Sequence, residues 1–172
     1  MSERFTAAIG RKLVSRASAE EVGSLTHLVL DVGRRQVTSL VAGKGRRAAL
    51  VDWDQVSGFG PDAVMIADDS ALHRPRDDRE RAAAEGKLEV VGRRVLSDMG
   101  DALGEATDVV FDPASGAVET LVIGELEIPA TSILGAGSYA VVVKAPGGED
   151  PTSLGPEGAQ RAGEARSPGS DP

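Results

Sequence analysis

The sequence predicts an all-β protein: two small antiparallel β-barrels in tandem, joined by a linker with a short helix and followed by a disordered tail. Three observations carry this reading. Short β-branched and apolar runs recur at regular spacing between Gly, Pro and Asp turn signals, with little helical periodicity. The first third of the chain is echoed in the second half. After Val143 the composition shifts to Pro, Gly, Ser, Glu and Ala, which cannot bury enough surface to fold.

The repeat is read residue by residue. Gly10-Arg11-Lys12-Leu13-Val14 matches Gly92-Arg93-Arg94-Val95-Leu96 at an offset of 82. Gly23 matches Gly104, Leu30-Asp31 matches Phe111-Asp112 and Leu40-Val41 matches Leu121-Val122, all at 81. Val56, Gly58, Gly60 and Ala63-Val64 match Ile133, Gly135, Gly137 and Ala140-Val141 at 77. Each offset change falls where a loop belongs, as a duplicated β-unit requires.

Each copy yields the same elements in order. A short strand (12–15; 94–97) leads through a glycine turn into a longer one (24–31; 105–112). A hairpin follows, through Asp31-Val32-Gly33-Arg34 in the first copy and Asp112-Pro113-Ala114-Ser115-Gly116 in the second. The second turn has a clear mechanism: Pro presets φ, Asp accepts from the turn backbone, and Gly takes the left-handed position. The next strands are 36–42 and 117–123, then 48–51 and 125–128. A single turn near 53–56 or 130–133 precedes the last strand (63–66; 139–143). Such a series suits a closed or nearly closed antiparallel barrel, since closure removes exposed edges. The boundaries are 1–67 for the first barrel, 68–87 for the linker, 88–144 for the second barrel and 145–172 for the tail. Within the linker, 77–87 reads as a helix, with acids in its first turn, three alanines and Gly86 as the stop. Units this small hold thin cores and are expected to lean on each other or on a partner.

Composition bounds the chemistry. Aromatics are only 3% of the chain, so the core is mostly aliphatic, and the absence of cysteine removes disulfides and thiolate chemistry. No signal peptide and no apolar run long enough to span a membrane is present, so a soluble cytoplasmic chain is expected. The net charge of −8 is uneven. Residues 1–67 carry nine basic and seven acidic groups, and residues 87–144 carry four and nine.

The pattern formed by Gly92, Val95, Asp98, Asp101, Leu103, Gly104, Asp108-Val109-Val110-Phe111-Asp112, Gly116, Val118, Leu121-Val122, Ile128-Pro129, Ile133, Gly137 and Val141–Val143 resembles the PRC-barrel family. That family is named for the cytoplasmic barrel of the photosynthetic reaction-centre H subunit. The first copy matches more loosely, with His27 at the place of Asp108 and Val51-Asp52 at that of Ile128-Pro129. The resemblance implies a bacterial, non-enzymatic adaptor or scaffold that binds another protein, at the inner membrane face in some versions. The alternative it implies is an RNA- or ribosome-maturation accessory factor. A third, resting on the family name, is a photosynthetic electron-transport accessory. A homo-oligomer is compatible with all three.

No catalytic, cofactor or metal set converges. Asp98, Asp101, Glu105, Asp108 and Asp112 are the densest carboxylates, but their spacing matches no calcium loop, and they read as turn-forming and solvated acids. His27 and His73 lack a third ligand for zinc. The candidate interaction surface is Arg34 and Arg35 at one end of the 36–42 strand, with Lys44, Arg46 and Arg47 at the other. Trp53 and Phe59 flank the last turn of the first copy, where they serve as core plugs or exposed anchors. Basic loops without stacking aromatics argue against nucleic acid as the main partner.

Overall fold

In the computed structural model, which describes residues 1–146, an N-terminal arm of β1 (Glu3–Arg4) and α1 (Phe5–Ala8) precedes the first repeat. The expected tail falls, from residue 147 onward, outside the described residues. The first repeat holds β2 (Lys12–Ser15), β3 (Glu21–Asp31), β4 (Gln36–Ala42), β5 (Ala49–Asp52), β6 (Val56–Phe59) and β7 (Ala63–Ile66). One-turn 3-10 helices at Gly45–Arg47 and Trp53–Gln55 punctuate it. The joining segment forms a 3-10 turn (Asp69–Ala71), β8 (Leu72–His73) and α2 (Asp78–Ala84). The second repeat holds β9 (Arg94–Ser97), β10 (Ala102–Glu105), β11 (Asp108–Phe111), β12 (Val118–Ile123), β13 (Leu126–Pro129), β14 (Ile133–Ala136) and β15 (Val141–Val143). A 3-10 turn at Ala130–Ser132 separates β13 from β14.

The two halves repeat each other bond by bond. Leu25 N–H donates to Arg11 O at 2.9 Å, and Ala106 N–H to Arg93 O at 2.8 Å. Arg16 N–H meets Ile66 O as Asp98 N–H meets Val143 O, both at 2.8 Å. Positive φ angles also recur at matched positions: Gly10 and Gly92, Ala19 and Gly100, Arg35 and Gly116, Gly43 and Gly124. Matched hydrogen bonds and matched left-handed residues mean that the offsets seen in sequence are offsets of one backbone path.

The pairing departs from expectation in two ways. The first strand of each repeat pairs with the last in parallel, β2 with β7 and β9 with β15, so the repeats are mixed rather than purely antiparallel. Among the described residues no ladder joins β5 to β6 or β13 to β14, so neither ring is closed by hydrogen bonds. The reason is local: a 3-10 turn occupies each gap. β6 and β14 add strands where the sequence reading places only a turn before the last strand; each carries a glycine and is bulged against its partner. In the first repeat β3 serves two partners, its start on β2 and the rest on β4. In the second the same corner breaks at Ala106-Thr107 and leaves β10 and β11 separate.

The repeats meet across an internal pseudo-twofold. Gln36 bridges Ala117, its own counterpart at an offset of 81. Around that point Val37 N–H donates to Gly116 O and Val118 N–H donates to Arg35 O, both at 2.8 Å. This is the isologous contact of a symmetric dimer, made within one chain. The arms cross over as well: β1 extends the second repeat by pairing with β11, Glu3 opposite Phe111. One continuous core runs through both halves, from Leu13 and Leu40 to Val95 and Phe111.

The joining segment is more than a polar linker. β8 pairs with β5, and α2 closes Val29, Val41 and Leu50 under Ala83 in a small second core. α2 starts at its Asp77 cap, which accepts from Glu80 N–H at 2.8 Å. Gly86, at φ +79°, ends it, with Gly86 and Lys87 N–H on Ala83 and Ala82 O. The counterparts of Ala48 and Leu50 on the outer face of the second repeat are Glu125 and Glu127. That face is water-compatible and needs no such cover.

Two substitutions test this arrangement. A methyl group at Gly116 would lie 2.6 Å from Gln36 Nε2 and 2.7 Å from a Trp53 ring carbon, at φ +76°. Gly116→Ala is therefore expected to lose at least about 1–2 kcal/mol in urea unfolding, from the left-handed backbone alone. Phe111 is fully buried where the halves meet, and Phe111→Ala is expected to cost about 3–5 kcal/mol in the same measurement.

Candidate functional site

The sharpest difference between the halves lies in what fills two pseudo-equivalent clefts. On one side Phe111 of the second repeat enters an aromatic cluster. Phe5 and Phe59 meet its ring edge-on at 5.3 Å each, and Trp53 lies at 6.3 Å. Arg11 stacks on Phe59 at 5.5 Å and joins the cluster to the arm through Glu3, 2.8 Å away.

On the other side every one of those rings is replaced by something smaller or aliphatic. The offsets bring Leu30 to the place of Phe111, Ala136 to that of Phe59, Ala130 to that of Trp53 and Lys87 to that of Phe5. Alanine cannot fill the volume of an aromatic ring, and a groove of about 660 Å³ opens there. Leu30, Val90 and Ala136 line it, with Arg79, Lys87 and Arg93 among its cations. Leu134, half exposed at 52%, stands where the first repeat has Ser57. No local motif marks these residues. The signal was the comparison of the two copies at Phe59/Ala136 and Phe111/Leu30.

The residues singled out from sequence are dispersed. Arg34 and Arg35 are exposed on the β3–β4 hairpin, where the Arg35 carbonyl serves the contact between repeats. Lys44, Arg46 and Arg47 are exposed at the far end of β4. There Arg46 and Arg47 stand on a 3-10 turn, whose Arg46 carbonyl accepts from Arg74. A second cleft of about 470 Å³ lies there, with Arg46, Arg74 and Arg81 on its walls. Trp53 and Phe59 are half-buried against Phe111; they seal the junction and also line a smaller cleft of about 380 Å³ with Ser57 and Pro113.

A polar cluster emerges from residues far apart in sequence. Asp52 ends β5, His73 lies on β8 and Glu80 on α2, and one ligand atom of each lies within 4.8 Å of the others. The centre is already taken by a cation: Arg76 Nη2 reaches Asp52 at 3.1 Å and Glu80 at 3.0 Å. His73 Nδ1 lies 2.9 Å from Arg74 O and Nε2 lies 3.0 Å from Arg76 Nη2. Nε2 also lies 3.2 Å from Asp52 Oδ1. Burial alone would raise Asp52, but hydrogen bonds from His73 and Arg76 outweigh it and hold the carboxyl below its ordinary value. Glu80 is likewise lowered, burial being outweighed by side-chain and backbone bonds from Arg76. The arrangement clamps the joining segment to β5.

Three acids of the second repeat serve structure. Asp112 is lowered by the Ala114 N–H and Ser115 hydroxyl that it accepts at 2.9 and 2.8 Å. Asp98 accepts from Ala145 N–H at 2.9 Å. Asp108 is not the solvated acid expected: it is buried and accepts from Thr6 Oγ1 at 2.6 Å and Thr6 N–H at 3.1 Å. The crossed-over arm covers it, which its own strand could not foretell. His27, its counterpart, bonds Glu89 just ahead of the second repeat.

No protein-family model matches the chain, and no curated protein matches it either. Among the described residues no helix is long and apolar enough to cross a membrane.

The clamp makes a pH prediction. Both carboxyls are lowered in the folded state, so their contribution is complete above their unfolded values and is lost as pH falls through the folded ones. Thermal melts of the wild type are expected to fall more steeply below about pH 5 than those of Asp52→Asn. Equal slopes would show that Asp52 contributes nothing to the acid dependence.

Proposed function

We propose that this chain is a non-enzymatic adaptor of the PRC-barrel type, its two repeats forming an internal pseudo-dimer that holds a protein partner in the cytoplasm or at the inner membrane face. The repeated strand order, with its parallel first–last pair, supports reading each half as a small barrel whose ring opens at a 3-10 turn. The observation that carries the adaptor reading is the groove beside Leu30 and Ala136. There an apolar floor opens into about 660 Å³, whereas the pseudo-equivalent cleft, narrowed by the chain's own aromatic rings, holds about 380 Å³. Apolar surface kept open beside cations suits protein recognition.

A second reading, an RNA-linked accessory factor, draws on the cleft flanked by Arg46 and Arg74. The two separate by experiment. The tagged chain, used as bait in its host, is expected to retain one protein at high salt, since apolar contacts resist screening. Ribosomal RNA recovered instead at low salt, and lost both at high salt and in the Arg46→Ala/Arg47→Ala variant, would replace the adaptor with the accessory factor.

A further inference from the structure

We propose that the groove beside Leu30 and Ala136 binds an acidic peptide segment of a partner protein, seating one aromatic side chain on its apolar floor and a neighbouring carboxylate on Arg93. This inference rests on the adaptor reading and names the chemistry of the partner.

The molecule carries its own template for the complex. In the filled cleft Arg11 donates through Nη1 to Gly60 O at 2.9 Å, stacks on Phe59, and is neutralised through Nη2 by Glu3 of the arm. In the open cleft Arg93 makes the matching bond to Gly137 O, but its Nη2 donates at 2.7 Å to the backbone oxygen of Lys87. The counterpart of Glu3 is Glu85, and it pairs with Lys87 Nζ at 2.7 Å. Among the described residues neither Arg93 nor Arg79 has a carboxylate within ion-pair distance. The first cleft therefore sets a carboxylate and aromatic rings around its guanidinium, where the second leaves Arg93 bound to two backbone oxygens beside an alanine and a leucine. The groove also borders Asp31, whose Oδ1 is engaged by the Arg34 N–H at 3.1 Å, leaving cations to dominate the rim. Aromatic anchoring in an apolar pocket with charge matching at its edge is the usual composition of a peptide-binding hot spot.

The test is a fluorescence-anisotropy titration of the full chain with a short labelled peptide carrying one Trp between Glu and Asp residues. Saturable micromolar binding is expected. Replacing the peptide's Trp by Ala, or its acids by Lys, is expected to weaken binding about tenfold or more, as hot-spot truncations do. The paired substitution Leu30→Phe with Ala136→Phe rebuilds the aromatic filling; it is expected to preserve the melting temperature and to weaken the peptide by a similar factor. Should that variant fail to fold, Arg79→Glu with Lys87→Glu alters exposed charges alone and must still weaken binding. Absent saturation, unchanged affinity in the folded filled variant or in the charge-reversed one, or preference for an RNA oligonucleotide or for phosphatidylglycerol vesicles would each overturn the proposal. A host protein retained equally by the filled variant would overturn the groove and leave the adaptor standing. Peptide binding without any retained host protein would do the reverse.

Discussion

Two backbone hydrogen bonds, Val37 N–H to Gly116 O and Val118 N–H to Arg35 O, fix how the repeats meet, and the rest of the structure depends on them. They are reciprocal, so they impose a twofold relation on two segments that are no longer identical. Each half alone is a thin sheet pair with few bulky side chains. Joined through this contact, the halves share one core, and Phe111 becomes the largest fully buried side chain. The crossed-over arm reinforces the same relation by placing Thr6 on the buried Asp108.

Within that symmetric frame the two sequences have diverged in complementary ways. One cleft is packed with rings and so contributes stability. Its partner lacks them, opens wider and exposes Leu134 beside Arg79 and Lys87. The outer faces diverge likewise. Leu50 in the first repeat is covered by α2, whereas Glu127 in the second faces water. Stability on one side and open surface on the other is a division that two identical copies could not make.

The polar clamp of Asp52, His73, Arg76 and Glu80 shows how the joining segment is held without a large apolar interface. Two carboxylates, Asp52 and Glu80, converge on the Arg76 guanidinium and the His73 ring. Because these groups remain partly solvated, each pair contributes little alone. Their value is positional: they hold β8 at the edge of β5 and α2 over Val41.

What the sequence by itself determined was the local backbone: the repeat, most strands, the α2 cap and stop, and the Asp112 to Gly116 turn. These depend on neighbours a few residues away, where side-chain alternation and φ preferences act. Tertiary structure decided the parallel pairing of β2 with β7, the unclosed rings, the crossed arm and the burial of Asp108. It also decided that Trp53 and Phe59 serve the junction while Ala136 opens a groove. Those outcomes depend on contacts between residues far apart in sequence, such as Thr6 with Asp108 and Phe59 with Phe111. Such pairs leave no local period to read, and only a folded chain brings them together.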